Sequence, residues 1–143
     1  MDNRKNSKGI GDLLLRLGMG WIFIAFGIGK FYYGAFWSTQ LPDKISLWLN
    51  NNLQISPIII QNFQAVFEIV IGVLLILGLF TTLAGFLGGL YLATIIVGFS
   101  LISGWSDILV YDTGLLFSIL ALLFLDHEYS LDHLINHLLR DSS

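Results

Sequence analysis

The sequence predicts an all-α membrane protein: an antiparallel bundle of four transmembrane helices, with an interfacial amphipathic helix in the first loop and an amphipathic C-terminal helix. Three observations point there. The 143 residues are 55% hydrophobic and 12% charged, about half the charged share of an ordinary soluble domain. Four separate stretches approach the roughly 20 apolar residues that cross a bilayer. Two of the turns between them are short, and short turns make neighbouring helices antiparallel.

The elements follow in order, within one domain over residues 1–143. Helix 1 is expected over about 13–31. Three more apolar stretches follow it and no small-residue cleavage pattern closes it, so it reads as a permanent span. In the long connection 32–56, Leu41, Ile45, Trp48 and Leu49 share a face, while Asp43, Lys44, Ser46 and Asn50 lie elsewhere. That pattern suits a helix lying in the interface. "NNN" breaks it, and Ser56-Pro57 is a start signal for helix 2 over about 58–79. "FTTL" turns the chain into helix 3, about 83–102, and "SGWSD" into helix 4, about 108–125, with Asp107 as its cap. Ser130 can cap a last helix in which Leu131, Leu134, Ile135, Leu138 and Leu139 share a face.

Arg4, Lys5, Lys8 and Arg140 lie at the two ends, against Lys44 in the long loop and Lys30 at its membrane edge. This bias predicts a multi-pass plasma-membrane protein with both termini cytoplasmic. The outer side would then hold an aromatic belt of Tyr32, Tyr33, Trp37, Trp48, Trp105 and Tyr111.

Several function classes drop out. A net charge of −3 with no basic stripe argues against a nucleic-acid partner. The absence of cysteine removes disulfides, thiol redox chemistry, iron–sulfur clusters and zinc thiolates. His133 and His137 have a metal-like spacing, but a solvated polar face explains them, and no metal is expected. No histidine falls inside a span, so a haem held between membrane histidines is not expected. There is no Gly-rich phosphate loop and no Ser/His/Asp set.

What remains is the charge inside the spans. A lone charge at the bilayer centre costs at least about 2.5–3.5 kcal/mol. Arg16 and Lys30 are fourteen residues apart on helix 1, which places them on one face about 21 Å apart along the axis. Glu68 lies about 15 Å deep on helix 2, near the midplane, and Asp112 lies about one turn into helix 4. These depths predict a cluster of Arg16, Lys30, Glu68 and Asp112 in which Arg16 reaches inward to Glu68 and Lys30 answers Asp112. Plainer roles compete. Arg16 can snorkel and pair with Asp12 four residues earlier, Lys30 can be an interfacial anchor, and Asp112 can be a helix cap. Glu68 has no such surface role: it is a polar clasp between helices or part of a ligand or proton site. Small residues add close packing or dimerisation, with Gly18, Gly20, Gly27 and Gly29 on helix 1 and Gly85 and Gly89 four apart on helix 3.

Taken together, "LLLRLGMGWIFIAFGIGKF", "FEIVIGVLLILGLFT" and "YDTGLLFSILALLF" resemble the first, second and last helices of the DoxX family. The resemblance implies a four-helix membrane bundle linked to membrane redox chemistry. The namesake relatives are subunits of a thiosulfate:quinone oxidoreductase, and others are associated with oxidative stress and sulfur metabolism. It carries over Arg16, Gly27, Lys30, Glu68, Gly72, Gly78, Thr81, Asp112 and Gly114. One departure stands out: where many relatives have a basic residue after that threonine, this chain has Thr82.

Three readings follow. In the first, the protein is a quinone-linked redox subunit; quinone is its one expected ligand and electrons come from a partner subunit. In the second, it is a non-enzymatic scaffold or assembly partner whose buried charges fix helix packing and whose glycine faces and amphipathic segments bind other proteins; membrane or peripheral redox subunits or a homo-oligomer are the expected partners. A small transporter ranks last, because four helices with one buried acid are minimal for it. Whether the chain is an enzyme is left open by its residues.

Overall fold

The computed structural model describes residues 2–32, 50–52, 54, 56–103, 107–125 and 130–132. Four helices organise them: α1 (Asp2–Tyr32), α2 (Pro57–Leu77), α3 (Thr81–Ser103) and α4 (Asp107–Ala121), the last continued by a 3-10 turn, Leu122–Phe124. The expected interfacial helix over 41–49, most of the aromatic belt, the tail beyond Asp132 and both His133 and His137 lie outside the described residues.

The helix edges follow local chemistry. Pro57 opens α2, where its missing N–H costs nothing, and Ile59 N–H donates to the Ser56 carbonyl. Gly78 closes α2 in the left-handed region, φ 67°, and its N–H and that of Leu79 return to the carbonyls of Leu75 and Leu74. Helix α1 begins well before the expected residue 13, because hydropathy marks where a helix becomes apolar and not where it becomes helical.

Among the described residues, three helices are long and apolar enough to cross a membrane: Gly9–Tyr32, Ile58–Leu77 and Thr81–Gly98. The fourth apolar stretch, Val110–Phe124, is shorter. Contacts set the directions. Cβ atoms built at Gly20 and Gly27 would meet Gly72–Ile76 and Ala65–Ile69, so α1 and α2 run antiparallel. Gly85 faces Leu122 and Leu123, and Gly89 faces Leu120, so α3 and α4 do too. Met19, Phe23, Ile71, Leu75, Ile119 and Leu122 form the core. Outward the molecule shows large apolar side chains such as Trp21, Phe63, Phe86 and Phe117. In water that surface would be an aggregation hazard; here it is the face that meets lipid. The buried polar residues lie inside, among them Asp12, Arg16, Lys30, Gln61 and Glu68.

Candidate functional site

Glu68 lies near the middle of α2 and is 4% exposed. Two helices bring donors to its carboxylate. Lys30 Nζ, from the last turn of α1, donates to both Oε1 and Oε2. Tyr91 OH, from α3, donates to Oε1 at 2.6 Å. The Tyr91 ring leans on Phe67, with centroids 5.4 Å apart and planes at 53°. Asp112, half-buried on α4, lies within electrostatic reach of Lys30 and Glu68. Gln61, two turns before Glu68 on the same face of α2, donates Nε2 to the Lys30 carbonyl at 2.7 Å. All four helices thus contribute to one polar centre.

A second centre sits near the start of the apolar stretch Gly9–Tyr32 of α1. Arg16 is 1% exposed, and its Nε donates to Asp12 Oδ2 at 3.0 Å, one turn earlier on the same helix. Arg16 Nη1 also reaches the Leu75 carbonyl at 3.5 Å. The missing side chain of Gly78 admits both this guanidinium and Ser130. The chain after α4 is tied down beside it: Asp132 N–H donates to the Gly78 carbonyl at 3.2 Å, and Thr81 N–H donates to Asp132 Oδ2 at 3.3 Å. Asp132 therefore caps α3 from 51 residues away, accepting one of the donors that a helix start leaves unpaired.

The expected pairing is corrected here. Glu68 is answered by Lys30, not by Arg16, and Arg16 takes the competing partner Asp12, though buried and not at the surface. The reason is side-chain direction. Helical side chains tilt toward their own N-terminus. That sends Lys30 back along α1 toward the midplane, and sends Arg16 away from it, toward Asp12. Glu68, on an antiparallel helix, leans the opposite way and meets Lys30. This signal was present in the sequence and depth alone did not use it. Tyr91 and Gln61 had no comparable signal, since a Tyr or a Gln in a span is ordinary until a buried charge is known to face it.

The glycines divide by role. Gly27 and Gly72 let α1 and α2 touch: a Cβ at Gly27 would stand 2.7 Å from the Ala65 carbonyl, and one at Gly72 2.6 Å from the Gly20 carbonyl. Gly85 and Gly89 face α4 of the same chain. Gly114 faces open space, with nothing within 4 Å of a built Cβ, so its expected packing role has no contact behind it among the described residues.

Compared with known proteins, the chain matches the family model described as DoxX over residues 11–102, which takes in most of α1, all of α2 and nearly all of α3. No curated protein and no solved structure gave a match.

Proposed function

This chain belongs to the DoxX family of membrane proteins, and on that premise we propose that it is a quinone-linked redox subunit whose working site is the Lys30–Glu68–Tyr91 centre with Asp112. One observation carries the reading: a buried carboxylate at the middle of an apolar helix, held by donors from two others, with a second carboxylate in electrostatic reach. Glu68 bonded to Lys30, with Asp112 in electrostatic reach of both, makes a charged centre among apolar helices. Intramembrane acids of this kind mark proton relays and ligand sites.

The residues fit a quinone headgroup. A flat ring needs apolar walls and a few polar atoms. The centre has the Phe67 and Tyr91 rings, and beside it, bonded to the Lys30 carbonyl, Gln61 has a buried carboxamide oxygen with no hydrogen-bond partner among the described residues. A bound quinone supplies a two-electron, two-proton couple. The chain's own part is to hold the headgroup, to keep water out with its apolar helices and to manage protons at Glu68. With no cysteine to carry electrons, it takes them through another redox subunit.

In the proposed topology α4 is a fourth crossing. Only three residues join α3 to α4, and residues 130–132 return to the α2–α3 turn, so α4 retraverses the thickness that α3 crosses. The termini are placed on the cytoplasmic side of the plasma membrane, from the basic bias of the two ends.

Mass spectrometry of gently purified protein tests this. Quinone retained by wild type, reduced in Tyr91→Phe and lost in a folded Glu68→Gln supports it. Absence of quinone from all three sinks it. A second reading has its own observation: the Asp12–Arg16 pair already acts as packing for the 78–81 turn and residues 130–132. If the Lys30–Glu68 pair does the same, the protein is a scaffold. Glu68→Gln then lowers stability and partner retention with no ligand involved.

A further inference from the structure

Gln61 is one of the buried polar residues, with Thr81, that lie outside both ion pairs. It is 3% exposed and lies in the first turns of α2. Its Nε2 is committed to the Lys30 carbonyl. That bond sets the orientation of the amide, because turning it over would set oxygen against oxygen. Oε1 is therefore an acceptor, and it is buried with no hydrogen-bond partner among the described residues. A buried acceptor left unpaired is destabilising, and such a group calls for a donor.

Its place ties it to the site already described. Gln61 and Glu68 are seven residues apart and share a face of α2 with the buried Ala65 and Gly72. The same lysine bonds Glu68 through its side chain and Gln61 through its carbonyl. Around Glu68 the donors of Lys30 and Tyr91 turn in toward the carboxylate. At Gln61 the unpaired atom is an acceptor instead.

We infer that Gln61 Oε1 is a ligand contact that takes a hydrogen bond from a hydroxyl group, so that the site selects the reduced, dihydroxy form of a quinone over its oxidised form. This rests on the quinone-linked reading and adds a direction to it. A quinone oxygen only accepts and finds no donor in Gln61 Oε1, whereas a hydroquinone O–H supplies one.

The test is anaerobic titration of the detergent-purified full chain with three probes: a short-chain hydroquinone, its quinone, and the hydroquinone dimethyl ether, which keeps the shape and loses the donors. Wild type should bind the hydroquinone about tenfold tighter than either other probe, the span of one well-placed hydrogen bond to a buried acceptor. Gln61→Met, similar in size and without the acceptor, should bring the three affinities within about twofold of one another. Should that variant fail to fold, the wild-type comparison decides alone. Equal affinities for all three probes in wild type would overturn the assignment while leaving the quinone-linked reading standing. So would a preference for the hydroquinone that Gln61→Met leaves unchanged. Binding of none of the probes would end both.

Discussion

Glu68 and Lys30 are stable as a pair and costly apart. Removing one partner of a buried ion pair strands the other, a loss of about 3–5 kcal/mol, while replacing both by apolar groups of similar size is often close to neutral. Glu68→Gln should therefore unfold at much lower temperature or denaturant than wild type in detergent, and Lys30→Met/Glu68→Leu should recover most of the loss. A double variant no better than the single would mean that the two side chains are not each other's main partner. Tyr91→Phe takes away one charge-assisted hydrogen bond to Glu68, which leaves the ion pair in place. Its cost should be about 1.5 kcal/mol, small enough to keep the protein folded for ligand assays. These residues make the polar centre cohesive whether or not it also works on a ligand, so stability and binding have to be read separately.

At the scale of helices, backbone approach decides which glycine matters. Gly27→Ala drives a methyl into the Ala65 carbonyl and the Ile69 amide of α2, and should cost about 1–3 kcal/mol as α1 and α2 are pushed apart. That displacement would also lengthen the Lys30–Glu68 bonds, since Lys30 is one turn further along α1. Gly114→Ala meets nothing within 4 Å and removes a glycine from a helix interior, so it should stabilise by about 0.5–1 kcal/mol. Denaturation curves of the two variants side by side check both signs. A harmless Gly27→Ala would mean that the two helices are not in contact there. Gly78→Ala should be worse than its size suggests: its φ of 67° strains any side chain, and the space belongs to Arg16 and Ser130.

For the whole molecule, the antiparallel order predicts which segments share a side of the membrane. The chain has no cysteine, so single cysteines can be placed without background. Asn52 and Thr82 are both exposed and lie beyond opposite ends of α2. Asn52→Cys should react with an impermeant maleimide in intact cells, and Thr82→Cys only after permeabilisation. The reverse result would invert the proposed orientation, and labelling of both from one side would remove α2 as a crossing. The two polar centres sit toward opposite ends of the apolar stretch Gly9–Tyr32 of α1, with Met19, Phe23, Ile71 and Leu75 between them in the core. Charge is thus kept in two separate groups and not in one chain across the membrane.

Much of this was legible in the residues alone because it is local. Apolar length identifies the crossing stretches, and Ser56-Pro57 marks the start of α2 where it lies. Rarity of charge in those stretches singles out Arg16, Lys30 and Glu68, each buried in the fold. Partners were another matter. Whether Glu68 meets Arg16 or Lys30 depends on the rotation and depth at which α1 and α2 dock, which the glycine contacts at Gly20, Gly27 and Gly72 set. The same docking buries Asp12, which by its place in a polar sequence looked like a surface residue. The docking of α2 on α1 also brings Gln61 to Lys30, the packing of α3 brings Tyr91 to Glu68, and α4 of the same chain fills the glycine face of α3. A side chain's own helix tells which way it leans. Only the neighbouring helix tells what it leans against.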